Sequence, residues 1–353
     1  MTTPTSIPAL VDRLRSGDTR ALARAISLVE NDAPEAAALL SACFPHTGRA
    51  LRIGITGSPG AGKSTLVDRL ARHFRQAGRT VGVLAVDPTS PFTGGALLGD
   101  RIRFQEHHED SGFYARSMAT RGSLGGLALA TADVALVLEA GGKEILLIET
   151  VGVGQDEIEI ARLADMTLVV LVPGMGDDVQ SLKAGVMEIA DIYVINKSDR
   201  DGAHRVEQEI RTLQSLTPPR TRPSASEAVL KGHDFSRADR AQRESGALAP
   251  AVDWTPPIVR TTATTGDGTD ALAAAISQFS EWLNTDDRRA ARRARHWRLR
   301  LDAMLRAELM RRARTHGLTS AELDQHAARI ASGQEDPWQL VPHLVSGALT
   351  PHH

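Results

Sequence analysis

At 353 residues, with 42% hydrophobic and 24% charged residues, the chain allows one large domain with appendages or two domains around a sizeable core. A formal net charge of -2 gives no general pull towards nucleic acid. The single cysteine, Cys43, excludes an intramolecular disulfide framework. The opening residues lack a signal-peptide pattern and no apolar run approaches membrane-spanning length, so the expectation is a cytoplasmic protein without membrane association.

Residues 1–47 read as a helical extension. Pro8–Arg15 is a short amphipathic run stopped by Gly17. Asp18 is placed to cap a helix over Thr19–Val29, and Pro34 to open a third that carries Leu39, Leu40 and Cys43. No chemistry is evident here. The expected role is packing, on the main domain or on a partner.

Residues 48–285 alternate strand and helix, which predicts an α/β fold with a mostly parallel sheet flanked by helices. Strands are expected at Arg52–Thr56, Val81–Val86, Glu144–Glu149, Thr167–Val172, Ile192–Ile195 and Ile258–Thr261. Between the first strand and an amphipathic helix over Thr65–Gln76 lies Gly57-Ser58-Pro59-Gly60-Ala61-Gly62-Lys63-Ser64, the pattern of a phosphate-binding loop. Glycines allow backbone N–H groups to approach phosphate where a Cβ would block them. Lys63 is placed to reach the β- and γ-phosphates, and the Ser64 hydroxyl to bind Mg²⁺.

Ligand groups in such sheets sit at the carboxyl ends of the strands, which singles out Asp87, Glu149, Pro173-Gly174 and Asn196. Asp87 and Glu149 are candidates for holding Mg²⁺, directly or through water. Glu149-x-x-Gly152 is similar to the γ-phosphate sensor of GTPases, with Glu where Asp is usual. Thr93-Gly94-Gly95 and Leu98-Gly99-Asp100-Arg101 supply flexible turns for a first switch segment, with Arg101 and Arg103 as candidate charge stabilisers.

Asn196-Lys197-Ser198-Asp199 follows a strand and fits Asn-Lys-x-Asp, the guanine-reading motif. One carboxylate, that of Asp199, accepts from both guanine N1–H and the N2 amino group, a donor pair that adenine lacks. Thr262-Ala263 is the nearest match to the last base-contacting loop.

Residues 216–253 form a long insert-like loop rich in Pro, Ser, Arg and Ala, and residues 286–353 a helical arm. The arm opens on Arg288, Arg289, Arg292, Arg293 and Arg295. With a near-neutral charge balance, that run reads as a solvated helix face rather than a nucleic-acid surface. Trp297, Leu301, Met304 or Leu305 and Leu309 follow as an apolar stripe that wants a partner, a second copy being the simplest. Thr319-x-x-Glu322 is a capping box for a further helix.

Together, GSPGAGKST, VLAVDPTS, TGGALLGDRIRF, ATRGSLGG, ETVGVGQDE, PGMGDDVQSLKAGVMEIAD, INKSD and WTPPI resemble the MeaB/ArgK family, GTPase chaperones of adenosylcobalamin-dependent acyl-CoA mutases such as methylmalonyl-CoA mutase. The resemblance implies a P-loop GTPase domain between an N-terminal helical extension and a C-terminal dimerisation arm. It implies GTP/GDP and Mg²⁺ as ligands, and no cobalamin site is identifiable in the chain itself. The phosphate loop through Thr65 would bind nucleotide, with Gly152, Asn196, Lys197, Asp199, Thr262 and Ala263. Lys63, Asp100 and Glu149 would be catalytic, and Ser64, Asp87, Asp100 and Glu149 would surround the metal. Asp177 and Lys183 would lie in a loop that communicates with the mutase. Two other readings stand beside this one: a kinase acting on a transport-related binding protein, and a nickel-insertion GTPase.

Overall fold

The computed structural model describes residues 6–87, 110–119, 126–150, 156–174, 187–216, 254–315 and 319–349. Among these residues seven strands form one sheet: β1 (Leu51–Gly57), β2 (Val81–Asp87), β3 (Phe113–Ala119), β4 (Ile145–Thr150), β5 (Met166–Leu171), β6 (Ile192–Ile195) and β7 (Ile258–Arg260). Their order is β3-β2-β4-β1-β5-β6-β7, and every neighbouring pair is parallel. The six expected strands are present. β3 was not anticipated. FYARSMA interrupts its apolar positions with Arg116 and Ser117, as an edge strand paired on one side permits.

Side chains alternate across the sheet, so each strand feeds two cores. On one face Ile53, Ile55, Val83, Leu147, Leu168 and Val170 pack against Leu66 and Leu70 of the helix Lys63–Gln76 and Ile276 and Phe279 of the helix Thr269–Leu283. On the other face Leu84, Leu146 and Ile148 meet Val134 and Leu138 of the helix Gly126–Ala140. The helices Ile7–Arg15, Thr19–Glu30 and Ala36–Cys43 complete that second core with Leu10, Leu14, Leu22, Ile26 and Leu39. Burying side chains of this size contributes about 2 kcal/mol each. The extension therefore packs on the main domain.

Asp18 caps the second helix, accepting from Arg20 N and Ala21 N at 2.9 and 3.0 Å. Pro34 lies in the turn ahead of the third helix rather than in its first turn. The capping box of Thr319 and Glu322 is formed at the start of the helix Ser320–Ala331.

The chain separates into two compact units, residues 1–293 and 294–353. The second comprises the remainder of the helix Arg288–Thr315 and the helices Ser320–Ala331 and Pro337–Leu349. Among the described residues, no helix is long and apolar enough to cross a membrane.

Candidate nucleotide site

The carboxyl ends of β1, β4, β6 and β7 converge on one edge of the sheet. β1 ends in Gly57, whose φ of +138° and close approach to the Val170 carbonyl of β5 leave no room for a Cβ. The loop then turns through Gly60 (φ +75°) and Gly62 (φ +84°) into a helix that begins at Lys63. Lys63 is buried and folds back over the loop, where Nζ donates to Gly57 O at 2.7 Å and to Ser58 O at 2.9 Å. An ammonium group and a helix N-terminus thus lie at the same loop, an arrangement suited to phosphate.

Asn196 stitches three loops together. Its Nδ2 donates to Ala61 O in the phosphate loop at 2.7 Å, and its Oδ1 accepts from Ala263 N at 3.0 Å and Thr261 Oγ1 at 3.2 Å. A Cβ on Gly62 would lie 2.5 Å from Asn196 Nδ2, so the glycine is required for this junction as well as for its positive φ. Lys197 adopts φ +54° and sends Nζ to Gly60 O at 2.8 Å. Ser198 N donates to Thr261 O at 3.0 Å, which leaves Asp199 exposed at the tip of the turn. Thr262 and Ala263 are both buried in this junction. Thr261, at the start of the same loop, donates its hydroxyl to Asn196 Oδ1. The sequence places it at the end of the last expected strand and the start of the Thr261–Thr265 loop.

On the metal side, Ser64 Oγ donates to Glu149 Oε1 at 2.6 Å, and Glu149 is buried. Behind them Thr150 Oγ1 donates to Thr56 Oγ1 at 3.1 Å, a link between the strand ends that sequence inspection did not single out. A hydroxyl and a carboxylate side by side form a hard-oxygen donor set of the kind Mg²⁺ takes. Asp87 ends β2 in register with Ala119. Asp100, Arg101, Arg103, Gly152, Asp177, Lys183 and residues 217–253 lie outside the described residues.

The opposite edge of the sheet holds a feature that differs from expectation. Arg289, Arg292 and Arg293 are not a solvated face. Asp191, just before β6, accepts from Arg292 Nη2 at 2.7 Å and from Thr167 N at 2.9 Å. Asp165, just before β5, accepts from Arg293 Nε at 3.0 Å, Arg289 Nη2 at 3.3 Å and Arg52 N at 3.0 Å. Burial on its own would raise the Asp165 pKa. The hydrogen bonds and charge of Arg293, then Arg289 and the Arg52 N–H, outweigh it and hold the carboxyl at about 2. Spacing at i, i+3 and i+4 places these arginines on one helical face. The acids that receive them are more than a hundred residues away in sequence, which is why the run looked solvated.

A parallel sheet carrying a phosphate loop at one strand end, with a guanine-type Asn-Lys-x-Asp loop hydrogen-bonded across to it, defines a P-loop GTPase. The family model described as methylmalonyl-CoA mutase-associated GTPase MeaB matches residues 22–317, and the chain belongs to that family. It is 40% identical over 348 residues, 98% of either chain, to a Pyrococcus abyssi protein that carries a provisional GTPase name. It is 30% identical over 301 residues to the Mus musculus protein named methylmalonic aciduria type A homolog, mitochondrial, covering 85% of this chain and 66% of that one. A crystal structure of an LAO/AO transport system kinase shares the fold, with a TM-score of 0.64 at 24% identity over 99% of this chain and 100% of that one.

Proposed function

We propose that this GTPase is a cytoplasmic chaperone that couples GTP binding and hydrolysis to the adenosylcobalamin loading, protection or reactivation of an acyl-CoA mutase of the methylmalonyl-CoA mutase type. The observation that carries the mutase link is the family match over residues 22–317, whose description names that association. The name of the mouse relative points the same way.

In this reading the phosphate loop from Gly57 to Thr65 binds the di- or triphosphate through its backbone N–H groups. Lys63 offsets the charge that develops on the transferred phosphoryl group. Asp199 accepts from the guanine edge, while Asn196 and Lys197 brace the loop that carries it. Ser64 and Glu149, already in contact, hold Mg²⁺ with Asp87 and Asp100; the ion supplies charge neutralisation at the phosphates. Gly152 senses the γ-phosphate. In-line hydrolysis needs an oriented water, and Val153 occupies the place where Ras-like proteins carry Gln. Basal turnover is therefore slow, and the partner completes the geometry.

Asp177 and Lys183 follow a turn at Pro173-Gly174, beside the nucleotide edge of the sheet, and couple that edge to the mutase. The arm mediates homodimerisation. Its Leu301, Leu305 and Leu309 recur every four residues, an exposed apolar stripe of the type a second copy covers.

The test is GTP turnover with and without a saturating candidate mutase. Acceleration by the mutase is expected for the wild type and should be lost in Lys183→Ala, with basal hydrolysis unchanged. A mutase that leaves wild-type turnover unaltered would remove the coupling.

A further inference from the structure

Arg69 belongs to neither sequence motif, yet it bridges the two halves of the site. It lies on the helix whose first turn carries Lys63 and Ser64. Its side chain crosses to the loop after β7, where Nε donates to Ala263 O at 2.9 Å and Nη2 to Thr264 O at 2.6 Å. That loop closes on itself: Thr262 N donates to Asp267 O at 2.9 Å, and Thr265 N and Gly266 N both donate to Thr262 O, at 3.1 and 2.9 Å. The closure uses the Thr262 carbonyl, while the carbonyls of Ala263 and Thr264 go to Arg69. One planar guanidinium meets two successive acceptors, a geometry that its fixed fork suits and a lysine ammonium does not.

Ala263 is consequently held from both sides. Asn196 Oδ1 takes its N–H and Arg69 takes its C=O. Asn196 in turn is bonded to Ala61 of the phosphate loop. The helix that starts at the phosphate loop thus returns to brace the base side, more than one turn beyond Lys63.

We infer that Arg69 is a positioning residue for guanine recognition, fixing the Thr261–Gly268 loop against Asn196 before nucleotide arrives. The inference rests on the reading of Asn196–Asp199 and this loop as the base-binding side. A loop that must be ordered by the ligand weakens binding, whereas one ordered in advance does not. The hydrogen bonds of Arg69 go to Ala263 O and Thr264 O on the base side, so the effect expected of it is on binding. Asp199 reads N1–H and the N2 amino group of guanine. Hypoxanthine shares the N1–H and O6 of guanine and lacks only the N2 amino group.

The experiment compares full-length wild type, Arg69→Met and Arg69→Lys by calorimetric titration with GDP and IDP, by steady-state GTP turnover and by thermal unfolding without nucleotide. Arg69→Met is expected to weaken GDP about tenfold or more and raise KM for GTP by a similar factor, with kcat within about twofold of wild type. GDP and IDP should weaken in the same proportion, whereas loss of Asp199 would affect GDP preferentially. Arg69→Lys, with one donor group for two acceptors, should fall between the other two, and it carries the test if Arg69→Met does not fold. GDP affinity equal to wild type in the folded variants overturns the proposal. So does a fall in kcat at unchanged KM, or a loss of affinity no larger than the loss of apo stability explains. A wild type that does not bind GDP would instead overturn the assignment of the guanine site itself.

Discussion

The Ser64 hydroxyl donates to Glu149 Oε1 at 2.6 Å, joining the first turn of the phosphate-loop helix to the end of β4. The carboxylate is buried and therefore fixed, so its loss cannot be made good by a mobile surface acid. Glu149→Ala is expected to raise the Mg²⁺ requirement and lower turnover roughly 10–100-fold, the usual effect of removing a residue that ligates or orients a metal. Turnover measured across a Mg²⁺ titration checks this. An unchanged Mg²⁺ dependence would take Glu149 out of the site.

Arg292 and Asp191 form a pair at the far edge of the sheet, with only 14% and 3% of the two side chains exposed. The guanidinium also lies over the Phe279 ring, 5.8 Å from its centroid. Asp191→Ala leaves that charge unpaired and the Thr167 N–H without its acceptor. A loss of about 3–5 kcal/mol is expected from urea unfolding. Turnover per folded molecule should be retained, because this edge is opposite Lys63.

Asp165 adds a pH dependence. Its carboxyl is held at about 2 against an ordinary value of 3.8. A depressed pKa stabilises the fold at pH values above the unfolded one, and that contribution disappears as pH falls through the folded one. The contribution is on the order of 2 kcal/mol, present above about pH 4 and lost between about pH 4 and pH 2. In chemical unfolding, Asp165→Asn should therefore be less stable than wild type at pH 7. The gap should narrow as acid protonates the wild-type carboxyl, and a gap that persists unchanged at pH 2 would assign the effect to packing.

The arm helix exposes Leu301 and Leu305 by 53% and 62%. Changing both to Asp places two charges in the stripe proposed to join two copies, where unpaired charge is strongly disfavoured. Light scattering should show a wild-type dimer and a monomeric variant with unaltered GDP binding. A wild-type monomer at micromolar concentration would end the self-association argument.

The strand ends were legible because the chemistry of the site is local. Gly57–Ser64 and Asn196–Asp199 each sit where a strand stops, and spacing alone located them. What joins the motifs was not legible. Asn196 meets Ala61 and Ala263, and Arg69 meets Thr264, across separations that no periodicity encodes. The same holds for the arm. A run of arginines carries no mark of its acids when those lie at the starts of β5 and β6. β3 escaped because an edge strand tolerates Arg116 and Ser117, and Arg116 is paired with Glu30 of the second helix.

Guanine selectivity is the central claim, and calorimetric titration of wild type and Asp199→Asn with GDP, ADP and XDP tests it most directly. Wild type should prefer GDP to ADP by a factor on the order of 10⁴, because an unpaired carboxylate disfavours the adenine edge. Asp199→Asn should weaken GDP and favour XDP, whose N1–H and O2 match the acceptor and donor of an amide. Wild-type binding of ADP as tight as that of GDP would contradict the account.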